Sequence, residues 1–179
     1  MKRLWIIPML AIFCYVAVAQ EAPRAEVFGG YQYFRATSGI NGVNNFNLNG
    51  WNASGSGYFN DYFGVKADFG GSYGTPAVAG IGVTTRLHTY MFGPVVRYTN
   101  ASKITPFAHV LFGGGHFSAS ALGVSGSEND FAWAAGGGAD VSVNKRFSIR
   151  VAQADFLQTR VAGDSQNNFR YSAGVVLKF

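Results

Sequence analysis

His116-Phe117-Ser118 comes closest in this chain to a catalytic arrangement. Residues two apart in an extended strand share a face, so the His116 imidazole would stand beside the Ser118 hydroxyl. Glu128, across the next segment, would orient the ring. Such a set performs acyl transfer: the serine attacks an ester carbonyl, the histidine takes its proton, and the carboxylate stabilises the imidazolium. A His-x-Ser triplet is nevertheless common by chance. The Gly- and Ser-rich residues before Glu128 read as a flexible loop rather than a support. The preferred reading is therefore non-enzymatic, with no residue assigned as catalytic and the esterase kept as an alternative.

Other chemistries find no footing. His88, His109 and His116 are the only histidines, and none has a Cys, Asp, Glu or His neighbour at a ligand spacing, so no metal site is expected. The glycine runs 113–115 and 136–138 sit in strand-like sequence, with no helix following to aim N–H groups at a phosphate. Glycine there serves curvature and close contact. No cofactor is expected.

The elements that must carry these residues show a two-residue period from Val27 onward. In the final segment Phe169, Tyr171, Ala173, Val175, Leu177 and Phe179 share one face, opposite Asn168, Arg170, Ser172, Gly174 and Lys178. Phe63, Val65, Ala67, Phe69 and Tyr73 oppose Lys66, Asp68 and Ser72. Trp51, Ala53 and Phe59 oppose Asn52, Ser54 and Ser56, and Phe131, Trp133, Ala135, Ala139 and Val141 oppose Gly136, Gly138 and Asp140. Residues 26–36, 88–98, 105–117 and 147–158 complete eight strands of about ten residues, the length that crosses an outer membrane when tilted. Arg150, Gln153 and Asp155 cannot all point inward at a strict period of two, so a bulge is expected there. Short turns near residues 60–61, 100–103 and 144–146 alternate with long segments at 37–47, 74–85, 118–130 and 159–167.

Composition agrees with an all-β chain. Among 179 residues there are 24 Gly, 16 Phe and 9 Tyr, with charged residues at only 13%, which excludes disorder and a helical bundle. Lys2 and Arg3, the apolar run that follows, and Ala17-Val18-Ala19 resemble an export signal cleaved after Ala19. The expected organisation is a signal peptide at 1–19 and a barrel domain at 20–179. Cys14 lies in that leader behind Phe13, which disfavours a lipid anchor and leaves the mature domain without cysteine. With no basic stripe, nucleic acid is not an expected partner.

The last eight residues fit the polar-x-Gly-x-x-apolar-x-aromatic signal read by the outer-membrane barrel assembly machinery, through Ser172, Gly174, Leu177 and Phe179. Here the chain resembles the small OmpA/OmpX-like family of bacterial outer-membrane β-barrels. The resemblance implies an eight-stranded antiparallel up-and-down transmembrane β-barrel in the bacterial outer membrane, with both termini periplasmic. It also implies contact with outer-membrane lipid and lipopolysaccharide, passage through the assembly machinery, and a monomer. His116, Ser118 and Glu128 are similar to the arrangement of lipid A 3-O-deacylase barrels, although Ala119-Ser120 follow where those enzymes usually carry Asn-Ala.

On this reading the ring-bearing face meets lipid, and Lys66, Asp68, Arg97, His109, Asp140, Arg170 and Lys178 point inward as a hydrogen-bonded network filling the lumen. Its expected role is to support the wall, while the protein acts structurally or through its loops; a small pore is a further alternative. Arg35, Arg86 and Arg160 would stand near the outer rim. A soluble lipocalin-like barrel is the structural rival, with its faces reversed.

Overall fold

Alternation of covered and uncovered side chains makes the ribbons two-faced. In β1 (Ala25–Ala36), Glu26, Phe28, Gln32, Phe34 and Ala36 are buried, whereas Val27, Tyr31 and Arg35 are exposed. Two faces run likewise through β2 (Phe46–Tyr58), β3 (Phe63–Gly74), β6 (Thr84–Arg97), β7 (Ile104–Ala121), β8 (Val124–Ser142), β9 (Phe147–Val161) and β10 (Asp164–Lys178), with the alternation of burial weakened toward the loop end of β7, over much of β8 and at one point of β9. A short ribbon, β4 (Ala77–Val78) with β5 (Ile81–Gly82), lies between β3 and β6. The computed structural model describes residues 24–36, 46–78, 81–100, 102–121, 124–161 and 164–179. The expected leader with Cys14, and most of the first long segment, lie outside the described residues.

Each long strand pairs antiparallel with its neighbours, and β1 pairs with β10 from Glu26↔Lys178 to Arg35↔Phe169. The eight strands therefore close in the order β1-β10-β9-β8-β7-β6-β3-β2, leaving no edge. Three tight turns gather at the end that holds Arg24 and Phe179. In each an asparagine side chain accepts backbone N–H groups: Asn60 from Tyr62 and Phe63, Asn100 from Ser102, and Asn144 from Arg146 and Phe147.

The expected break in β9 is a one-residue bulge. Ala139 faces Ala152 and Asp140 faces Arg150, while on the other side Ser172 faces Gln153 and Gly174 faces Arg150. Val151 and Ala152 are consecutively exposed between buried Arg150 and Gln153.

Two expectations need correction. Residues 118–130 and 159–167 are not long loops: β7 and β8 stay paired to Ala121↔Val124, and β9 and β10 to Val161↔Asp164. Ladder hydrogen bonds join backbone groups, so Ser, Gly and Asn can pair without apolar alternation. The lumen, moreover, is not polar throughout. Its loop-end half is a core of Phe34, Ala36, Leu48, Leu87, Met91, Leu111, Ala132, Ala134 and Leu157, with Phe46 and Phe117 packed against it.

Candidate functional site

The turn-end half of the lumen holds nearly all the buried charge, organised around Arg170. Its Nε donates to Asp155 Oδ2 at 2.8 Å, and its Nη1 donates to Asp68 Oδ1 at 2.7 Å. Arg170 is thus fixed between β9 and β3, which stand on opposite walls of the ring. Asn52 Nδ2 also donates to Asp68 Oδ1, at 3.0 Å. His109 Nε2 meets Asp155 Oδ1 at 2.9 Å, and Gln153 Nε2 donates to Asp155 Oδ2 at 2.8 Å. Gln153 Oε1 accepts from Arg150 Nη1 at 2.8 Å and from Lys66 Nζ, reaching across from β3, at 3.4 Å. Arg150 grips Asp140 with both Nε and Nη2, at 2.8 and 2.9 Å. A separate cluster at the turn end joins Arg97 Nη1 to Glu26 Oε1 at 2.7 Å and Tyr58 OH to Glu26 Oε2 at 3.3 Å.

Charge in this half is balanced. The buried cations Lys66, Arg97, Arg150 and Arg170 match the buried anions Glu26, Asp68, Asp140 and Asp155. Desolvated charges are tolerable in such a site because each has an opposite partner, and Glu26, Lys66, Asp68, Asp155 and Arg150 also bond neutral side chains. Rings on the inner face accept the cations: the Arg150 guanidinium lies 4.4 Å from the Phe28 ring centre and 4.1 Å from that of Phe107, and Arg97 lies 3.7 Å from Tyr58. These inward rings are exceptions to the expected all-outward aromatic face.

Glycines make the space. Gly136 faces Asp155 across the β8/β9 pair, and a Cβ there would collide with Asp155 Oδ1 and the Ala154 carbonyl. At Gly138 it would meet the Phe107 ring at 2.9 Å. Gly136 and Gly138, opposite Asp155 and Gln153, line the recess that the network fills, while Gly137 between them takes the outward parity of Ala154.

Of the seven interior residues expected, Lys66, Asp68, Arg97, His109, Asp140 and Arg170 are buried within these clusters. Lys178 is only half-buried and stands at the turn-end mouth, bonded to Ser142 Oγ at 3.2 Å. Glu26 was not anticipated, because β1 carries large rings on both faces and hides its parity. Arg150, Gln153 and Asp155 were visible as an anomaly of spacing, and the bulge resolves it.

The structure separates the proposed catalytic set. His116 pairs with Asn129 and bonds its side chain, Nδ1 to Oδ1 at 2.8 Å. Ser118 pairs with Ser127, on the same outward face. Glu128 pairs with Phe117, whose ring packs on the inner core, so its carboxylate belongs to the opposite face. The residue poised to orient His116 is a neutral amide. His88, opposite His116 on β6, bonds Tyr73 OH at 3.0 Å. Among the described residues no cluster of His, Cys, Asp or Glu can hold a metal.

At the closing strand Ser172 is buried, and Gly174 sits where a Cβ would strike the Gly29 carbonyl. Leu177 and Phe179 face outward, and the Phe179 N–H donates to the Ala25 carbonyl at 2.9 Å.

The sequence matches the outer membrane protein beta-barrel domain over residues 6–179. The chain belongs to this outer-membrane barrel family. Solved structures similar to it include Neisserial surface protein A, with a TM-score of 0.73 at 14% identity, covering 89% of this chain and 100% of that one. The attachment invasion locus protein Ail of Yersinia pestis aligns over the same shares, with a TM-score of 0.65 at 19% identity. Ail has also been crystallised with the heparin analogue sucrose octasulfate, and that structure gives a TM-score of 0.63 at 18% identity. No curated protein matches the chain. In an outer-membrane barrel the outward face meets lipid, and this one presents Val65, Phe69, Tyr90, Phe92, Phe112, Phe131, Val151 and Tyr171, each at least 43% exposed. The soluble rival, which needs that face packed inside, does not fit.

Proposed function

We propose that the protein is a non-conducting outer-membrane barrel whose wall is braced from within and whose contacts are made at the loop end. The observation carrying this reading is the double obstruction of the lumen: Arg170 and Lys66 bridge opposite walls, and Met91, Leu111 and Leu157 fill the section toward the loop end. Eight strands enclose only enough width for side chains, and here both halves are occupied. Short turns with both described ends at one rim are the periplasmic arrangement of such barrels, so the longer ribbons β7/β8 and β9/β10 project outward from the cell. Arg35 and Arg86 are exposed near that rim, available to anionic head groups or polyanions; the Arg160 side chain lies outside the described residues. The role is structural and surface-directed, and the chain is monomeric, exported by the leader at 1–19 and inserted by the assembly machinery through Ser172, Gly174, Leu177 and Phe179.

Purified barrel in planar bilayers tests the closed lumen. No conductance steps are expected, whereas reproducible steps from folded protein would overturn the reading and favour a small pore.

A further inference from the structure

Above the sealed section the lumen opens toward the loops as a cup lined by Phe34, Phe46, Leu48, Leu87 and Phe117 on one side and Asp130, Thr159, Gln166 and Asn168 on the other. About 430 Å³ of non-protein space lies in and before it, the open mouth included, and only a small part of that is roomy enough for a water-sized sphere. A mostly apolar lining and a few convergent polar groups are features of a small-molecule site, here a shallow recess in which a ligand would sit at the open mouth. The two walls differ in chemistry because β1, β2, β6 and β7 supply rings and leucines, while β8, β9 and β10 supply polar side chains. Gly115 stands directly opposite Asp130 in the β7/β8 pair, with the Leu87 and Thr159 side chains 3.6 and 4.0 Å from where its Cβ would stand.

Asp130 is the unresolved group. Its Oδ2 is covered from solvent and has no hydrogen-bond partner among the described residues. The neighbouring polar wall is already engaged, since Asn168 Nδ2 donates to Thr159 Oγ1 at 3.2 Å and to the Gln166 carbonyl. Arg35 and Arg86, the described cations nearest this end, lie on the outward face, where alternation with buried Phe34, Ala36, Thr85 and Leu87 places them. A covered carboxylate oxygen without a donor is unfavourable, and a ligand bringing a cationic donor with an apolar body would satisfy it while filling the cup.

We propose that this cup binds a small amphiphilic amine, with its ammonium on Asp130 and its apolar body against Phe34, Leu48, Leu87 and Phe117. The proposal goes beyond the surface role and does not depend on it, because a closed barrel can hold a ligand without passing it.

The test uses the barrel in lipid nanodiscs, titrated with 2-phenylethylamine, 2-phenylethanol and phenylacetate, which share one body and differ in head group. Methyl NMR shifts of Leu48 and Leu87 report occupancy. Saturable shifts are expected with the amine, binding about tenfold weaker with the alcohol, and none with phenylacetate. Asp130→Asn should bring the amine down to the alcohol's affinity, and Leu87→Trp should remove both. Absence of saturable shifts with the amine, or equal binding of phenylacetate, overturns the proposal on the native protein alone. Undiminished amine binding in a folded Asp130→Asn barrel overturns it as well.

Discussion

Replacing Arg170 with methionine should be among the most damaging single changes to this barrel. The guanidinium holds two carboxylates that are themselves out of water, at 2.7 Å from Asp68 and 2.8 Å from Asp155. Removing one partner of a buried ion pair destabilises by about 3–5 kcal/mol, because an uncompensated charge remains. Two charges are left here, but neither is abandoned. Lys66 Nζ stands 3.6 Å from Asp68 Oδ2, and Asp155 keeps His109 and Gln153. The expected loss is therefore at the lower end, about 3 kcal/mol. Adding Asp68→Asn removes one stranded charge and should restore about half of it, since the remaining Asp155 keeps neutral donors. Urea unfolding in lipid vesicles, followed by tryptophan emission, measures this; Trp51 stands on the outward face, 45% exposed, and reports loss of lipid contact. An Arg170→Met barrel within about 1 kcal/mol of the parent, or a double variant no more stable than the single one, would refute the bracing role.

Other expectations follow from the same geometry. Phe112→Arg, on the outward face, should destabilise by about 2–4 kcal/mol in the vesicle assay, whereas a neutral effect would deny that this face meets hydrocarbon. Gly136→Val should push Asp155 out of its recess and lower stability by about 1–3 kcal/mol, and an unchanged midpoint would show that the recess is not tightly filled. Phe179→Ser should reduce the heat-modifiable, membrane-inserted fraction in cells; full insertion would argue against the terminal aromatic as an assembly signal. Incubated with lipopolysaccharide, the native barrel should release no fatty acid by mass spectrometry, and release sensitive to Ser118→Ala would restore the esterase despite the misplaced Glu128.

The fold was legible because a membrane barrel writes its two solvents into alternate residues. Phe63 to Tyr73 and Phe169 to Phe179 display that alternation without ambiguity, and their inward partners Lys66, Asp68 and Arg170 could be named. Legibility failed where the lumen itself is apolar. Phe34, Leu48 and Leu87 on the inner face are indistinguishable by type from lipid-facing residues, so the apolar half of the interior left no contrast. It failed again at the loop end, where Ser118 to Asp130 carry no membrane pattern yet continue the ladder. The apparent triad misled for a related reason: His116 and Ser118 do share a face, but the partner of His116 is fixed by hairpin register, which selects Asn129 and turns Glu128 away.

The bulge and the network explain each other. At a period of two, Arg150 has one parity and Gln153 and Asp155 the other, so an unbroken β9 would send one set into lipid. Arg150 there would lose both bonds to Asp140; Gln153 and Asp155 there would leave Arg170 with Asp68 alone. One extra residue at Val151 shifts the phase between them and puts all three on the inner face. The residues that absorb the shift, Val151 and Ala152, are apolar and exposed side by side, which lipid tolerates and water-facing wall would not favour. The irregularity in the strand is therefore what allows charge from β8, β9, β10 and β3 to meet in one closed chain, while regular alternation elsewhere keeps the hydrocarbon-facing surface unbroken.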